Sequence, residues 1–250
     1  MSTHISAKRK AAMKAVKHIE NGMILGLGSG TTVAFAIKQI GELLATDEIY
    51  DVYGVPTSIQ TTFEAIKAKI PLTTLDEHPQ LDLGIDGADQ LDVKLNAIKG
   101  GGGALMREKI VAAACKEYIF IADESKLTDV LGTGKVVPVE IHPFAVTPAL
   151  KAVEKLGAKV SLRLSSGKLG PLVTDNGNYI IDADFGPIQD PWWLNRELHA
   201  IPGIIETGMF LGYAHLAYVG GRGSVKRLKP QPDAALRAAR VNKPGMTTPK

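Results

Sequence analysis

Apolar and polar positions in the first half of the chain alternate between two rhythms. "MILGLG", "YDVYGVPTS", "LDLGID" and "YIFIAD" are short apolar runs that read as strands. "TTVAFAIKQIGELL", "SIQTTFEAIKAK" and "ALMREKIVAAACK" lie between them, with apolar residues at helical spacing. The opening "MSTHISAKRKAAMKAVKHIE" predicts a first helix with Ala11, Ala12, Ala15, Val16 and Ile19 on one face. Strands alternating with helices of this length predict βαβ units and a parallel, Rossmann-like sheet. Right-handed crossovers then place helices on both faces.

The rhythm changes near residue 132. "VVPVEI" predicts a strand, "TPALKAVEKLG" a helix ended by glycine, and "AKVSLRL" and "YIIDADF" two strands around a "DNGN" turn. "DPWWLNRELHAI" starts a helix with aspartate at the cap and proline at the first position, and "IIETGMF" closes the set. This β-α-β-β-α-β order is the split plan of a small ferredoxin-like α+β domain, inserted over residues 132–207. Residues 1–131 and 208–229 form the α/β domain, to which the hairpin-like "HLAYVGGRGSVKRL" returns.

Composition narrows the picture. In 250 residues, 45% are hydrophobic and 22% charged, a globular balance. The net charge of +3 is carried by the last segment, "PQPDAALRAARVNKPGMTTPK", where Arg237, Arg240, Lys243 and Lys250 face Asp233 alone. Its four prolines predict a disordered tail over 230–250, and a neutral body argues against nucleic acid as a partner. No stretch approaches the roughly 18 apolar residues of a membrane span, and the basic N-terminus lacks a signal peptide's apolar core. The single cysteine, Cys115, cannot form an internal disulfide, so the cytoplasm is the expected location and a buried, inert thiol the expected state.

In parallel sheets ligands bind beyond the carboxyl ends of strands, so the residues just after each strand carry the functional information. "GLGSGTT" can turn N–H groups toward an anion, with Ser29, Thr31 and Thr32 adding hydroxyls around Gly30, though a tight turn alone explains such a loop equally well. "DGAD" sets Asp86 and Asp89 around Gly87 and Ala88, two carboxylates able to bind sugar hydroxyls, move protons or hold a metal; an Asx turn would explain one of them. "KGGGGALMREK" places Lys99 before Gly100, Gly101, Gly102 and Gly103, with Glu108 about one turn into the next helix. Without Cβ atoms, that loop lets several N–H groups meet one oxyanion. Lys126 in "ADESK" follows another strand; Lys8 could reach an anion but reads better as a solvated charge. The six histidines show no metal-binding spacing, so neither metal nor cofactor is expected.

Together "GLGSGTT", "DGAD", "KGGGGALMREK" and "ADESK" resemble ribose-5-phosphate isomerase, type A, in order and spacing, from the first helix to about residue 229. The resemblance implies a metal-independent isomerase of sugar phosphates that assembles as a homodimer or homotetramer. It implies Glu108 as the proton acceptor and Ser29 to Thr32, Asp86 to Asp89, Lys99 to Gly102 and Lys126 as substrate contacts. Asp86 is expected to assist ring opening or proton exchange, with Lys99 and the loop amides stabilising an enediolate. A helix N-terminus lowers a carboxylate's pKa, so closure around the substrate is expected to offset that at Glu108. Ser29 stands where many members carry threonine, and Gly103 and Met106 where alanine and threonine are frequent. A phosphosugar sensor, a sugar-phosphate deaminase and a coenzyme A transferase are the alternatives; the sensor would need a helix-turn-helix module for which the short run before the first strand leaves no room.

Overall fold

The structure, a computed structural model, describes residues 3–167 and 169–230. Apart from Pro230, the expected tail lies outside the described residues.

Helix α1 (Thr3–Val16) buries Ala11, Ala12, Ala15 and Val16. Ile19 is buried too, but beyond the helix end, where a turn closes between Val16 O and its N–H. Then come β1 (Ile24–Leu27), α2 (Val33–Ala45), β2 (Tyr53–Pro56), α3 (Ile59–Lys67) and β3 (Leu81–Gly87). After β4 (Gln90–Leu91) and β5 (Ala97–Ile98), α4 (Leu105–Ala114) leads into β6 (Cys115–Asp123). Cys115 takes extended backbone and opens the strand, rather than ending the helix as its apolar run suggests. Its thiol is buried, and that burial pushes its pKa up.

The smaller unit contains β7 (Val137–Ile141), α5 (Val146–Lys155), β8 (Lys159–Leu162), β9 (Tyr179–Asp184), α6 (Pro191–His199) and β10 (Ile204–Thr207). Its strands form an antiparallel sheet in the order β10-β7-β9-β8, with Val137, Val139 and Ile141 packed among residues of α5 and α6. β11 (Met209–Phe210), β12 (Leu216–Gly220) and β13 (Val225–Leu228) complete the chain. "IIETGMF" is therefore not one strand. At Gly208 the chain leaves the small sheet, and β11 pairs with β5 in a three-stranded patch. A Cβ at Gly208 would lie 2.2 Å from Lys99 O, and Lys99 N donates to Gly208 O at 2.8 Å. This crossing fixes the start of the glycine loop.

The main sheet runs β13-β12-β6-β3-β1-β2, parallel except for the edge strand β13, which a short turn forces antiparallel. Along β6, Ile119 and Ile121 face the layer of α1 and α2, while Tyr118 and Phe120 face α4. β1, β3 and β6 are neighbours, so the loops after them emerge side by side. The connections diverge between β1 and β3, the switch point where ligand crevices form. Among the described residues no helix is long and apolar enough to cross a membrane.

Candidate active site

A cavity of about 280 Å³ opens at that switch point. Ser29, Gly30, Thr31, Thr32, Gly87, Ala88, Asp89, Lys99, Gly100, Gly101, Gly102, Glu108 and Lys126 all line it. Asp86 does not. It is fully buried behind the residues that line the cavity. Ser29 N, Gly87 N and Tyr118 Oη donate to its carboxylate at 3.2, 2.6 and 2.8 Å. Gly28 makes this possible: a Cβ there would lie 2.2 Å from the Asp86 carboxyl.

Lys99 is 3% exposed, and its ammonium spends its donors on Gly87 O (2.6 Å), Asp86 Oδ1 (3.1 Å) and Glu108 Oε1 (3.2 Å). Burial alone would lower its pKa, but the two carboxylates hold it above the ordinary value. Glu108 is 4% exposed, and its Oε2 is buried with no hydrogen-bond partner among the described residues. Burial and then the charge of Asp86 push the Glu108 carboxyl up to about 8, against the pull of Lys99. Glu108 lies in the first turn of α4, whose dipole favours an anion, yet burial outweighs that effect. The fold itself supplies the offset assigned to substrate closure.

The glycines serve separate ends. Gly100 has φ +102, which an L side chain rarely adopts. Gly101 leaves room for Asp89, whose Oδ2 accepts from its N–H at 2.7 Å. Gly102 faces open space.

Across the cavity α2 begins at Thr32 with no side chain capping it. Lys8, which the sequence reads as a solvated charge, reaches this end and donates to Thr31 Oγ1 at 3.1 Å in an exposed contact. Ser29 lines the cavity beside them. Its hydroxyl is engaged with Thr57, Ser58 and Thr61 at 2.9, 2.7 and 3.1 Å, inside the wall.

The arrangement sets a buried carboxyl, a fixed cation and backbone N–H groups around one small polar cavity. The sequence model for ribose 5-phosphate isomerase A (phosphoriboisomerase A) matches residues 53–224. The chain belongs to this family. It is 46% identical over 231 residues to ribose-5-phosphate isomerase A of Methanosarcina acetivorans, covering 92% of this chain and 97% of that one. It is 45% identical over 213 residues to the enzyme of Trichodesmium erythraeum, covering 85% and 90%. A D-ribose-5-phosphate isomerase solved with phospho-erythronic acid superimposes with TM-score 0.89 at 43% identity, over 92% of this chain and all of that one.

Several parts of this isomerase-family site carry no signal in the local sequence. Ser58 and Gln60 line the cavity, as do Leu172, Val173, Thr174 and Asp175 from the smaller unit. Asp175 Oδ2 accepts from Ile59 N at 2.8 Å, and Arg107 donates to Asp175 O and Asn176 Oδ1 at 2.8 and 2.7 Å. Beyond Glu108, Lys109 points away from the cavity into a second cluster. Its buried Nζ donates to Glu206 Oε1 (2.7 Å) and Thr207 O (2.7 Å), and His199 Nε2 meets the same Glu206 oxygen at 2.8 Å. Burial would raise Glu206, but His199 and Lys109 bring it down to about 2. Among the described residues no group of three or more His, Cys, Asp or Glu could hold a metal ion.

Proposed function

We propose that the chain interconverts ribose 5-phosphate and ribulose 5-phosphate through an enediolate, in the pentose phosphate pathway, with Glu108 as the base. Family membership supports the reaction, and the buried, unpartnered Glu108 Oε2 carries the mechanism. Isomerisation removes the proton on C2 of the open aldose and returns one to C1, while negative charge grows on the carbonyl oxygen. Glu108, raised to about 8, takes that proton near neutral pH, a contribution of about 10²- to 10⁴-fold. Gly102 N–H faces the developing charge, the charge of Lys99 offsets it from behind with its donors already engaged, and Asp89, which lines the cavity, meets the sugar hydroxyls. Asp86 holds Lys99 instead. Lys8, Lys126 and the uncapped start of α2 form the positively charged end, suited to the phosphate.

The reaction needs no metal for these roles, and full activity after chelator treatment is expected. Residues 132–207 act as an inserted unit that supplies one cavity wall. A cytoplasmic setting suits the lone buried thiol. The partner is a second copy: Ile59, Phe63 and Ile66 form an apolar stripe along α3, 50, 68 and 56% exposed, beside edge strand β2 with its exposed Tyr53. The same stripe on both copies makes a self-complementary interface. Phe63→Glu should shift the light-scattering mass toward the monomer; an unchanged dimer mass would move the interface elsewhere.

Ribulose 5-phosphate formation in deuterated water tests the mechanism. Wild type should place solvent deuterium on C1. Glu108→Gln should lose turnover by ~10²-fold or more with the deuterium transfer; a fully active variant removes Glu108 as base.

A further inference from the structure

The smaller unit touches the catalytic loop through Arg163, which directly follows β8. Its backbone is pinned on both sides, N–H to Ile180 O and carbonyl from Leu172 N, each at 2.8 Å. The guanidinium grips Asp182 of β9 with two nitrogens, Nε to Oδ2 at 2.8 Å and Nη2 to Oδ1. Nη1 donates to Gly100 O at 2.7 Å and Gly101 O at 3.2 Å. The side chain is 14% exposed; its contacts with Asp182 and Gly100 O are part-buried and that with Gly101 O is exposed.

A trans peptide carries its C=O and N–H on opposite sides, and no cis bond occurs among the described residues. Holding Gly100 O toward Arg163 sends Gly101 N–H the other way, where it meets Asp89. Holding Gly101 O likewise turns Gly102 N–H away from Arg163. Gly102 lines the cavity, a Cβ on it would meet nothing within 4 Å, and its N–H has no acceptor among the described residues.

We infer that Arg163 is a positioning residue for the isomerisation, clamping two peptide planes of the glycine loop so that Gly102 N–H faces the enediolate oxyanion. The inference rests on the enediolate reading above. Four successive glycines leave the loop many backbone conformations, whereas an oxyanion donor is effective only when its direction is set before charge develops. Arg163 supplies that direction from behind, through the backbone. Lysine cannot substitute, because a point charge lacks the planar fork that holds a carboxylate and two carbonyls together.

Arg163→Met and Arg163→Lys, measured beside wild type, test this. The readouts are kcat and KM for ribose 5-phosphate, inhibition by phospho-erythronic acid, and thermal unfolding. The acid's carboxylate presents charged oxygens where the enediolate would carry its own. Both variants should lose at least ~10-fold in kcat, within the ~10²- to 10³-fold worth of one oxyanion donor. KM should stay within ~3-fold, and affinity for phospho-erythronic acid should fall with kcat. The lysine variant keeps a cation beside Asp182 and gives the answer if the methionine variant does not fold. A folded variant with kcat within ~2-fold of wild type, or with only KM raised, overturns the clamp. So does a loss of kcat at unchanged inhibitor affinity. An inactive wild type would overturn the reaction and the clamp together, whereas an active wild type with unaffected variants counts against Arg163 alone.

Discussion

Two buried lysines flank the ring of Phe210, Lys99 at 5.4 Å and Lys109 at 5.0 Å from its centroid, and their surroundings are nearly opposite in charge. Lys99 faces two carboxylates, Asp86 and Glu108. Around Lys109 one carboxylate, Glu206, faces two basic groups, the lysine and His199. One cation cannot satisfy two buried anions, so the carboxyl with the unpartnered oxygen, Glu108, rises to about 8. With cations in surplus, Glu206 falls to about 2. Burial opposes ionisation in both places; the ratio of charges decides whether a carboxyl is left raised or pulled down.

Glu108→Gln breaks the comparison hardest, with the loss of turnover given above. Its stability should move the other way. A carboxyl raised from 4.5 to about 8 contributes stability below about 4.5 that is lost as pH rises through 8. The melting temperature of Glu108→Gln relative to wild type should therefore climb between pH 5 and 8, and a flat difference would contradict the raised value. Lys99→Met removes the cation that faces Asp86 and Glu108. It should cost about 10²- to 10³-fold in kcat and move the acid limb of the rate profile higher still, as an unchanged limb would not. In wild type, kcat/KM should fall on the acid side with an apparent pKa near 8; a limb near 4.5 would mean that Glu108 ionises like an ordinary glutamate.

Glu206→Gln should have the smallest effect on catalysis, leaving kcat within ~3-fold, while unfolding stability falls by about 2 kcal/mol through weaker bonds to charged partners. Glu206 is depressed, so its contribution is present above about 4.5 and lost as pH falls toward 2. Wild type should thus lose more stability than the variant on acidification across that window. Equal losses by calorimetry would remove Glu206 as the anchor.

The alternation of strands and helices was legible because each long element has its own apolar period, visible in β6 as Ile119 and Ile121 against Tyr118 and Phe120. The two-residue strands β4, β5 and β11 have no period to read. The loops lining the cavity were legible because glycine, aspartate and lysine are poor choices there unless something is bound. What stayed hidden depends on distant partners. Tyr118 looks like core in an apolar strand, yet its hydroxyl holds Asp86, 32 residues away. Arg163 lies 63 residues from the carbonyl it orients, and Lys109 lies 97 from Glu206. Burial of Asp86 at the end of β3 could not be inferred from "DGAD", because the spacing does not say which of two carboxylates faces inward.

Arg107, Glu108 and Lys109 are consecutive on α4 and address three destinations: the Asp175 turn, the cavity and the Glu206 cluster. Each step along a helix rotates the side chain by about 100°, so the triplet works like a key with three differently cut teeth. A residue inserted between Glu108 and the buried Val111 and Ala112 would set the teeth against the packed remainder of the helix, so that the two could no longer both fit. The spacing from Glu108 to the packed end of α4 thus matters as much as the carboxyl itself, and tolerance to insertion should be lower inside that helix than in the glycine loop before it.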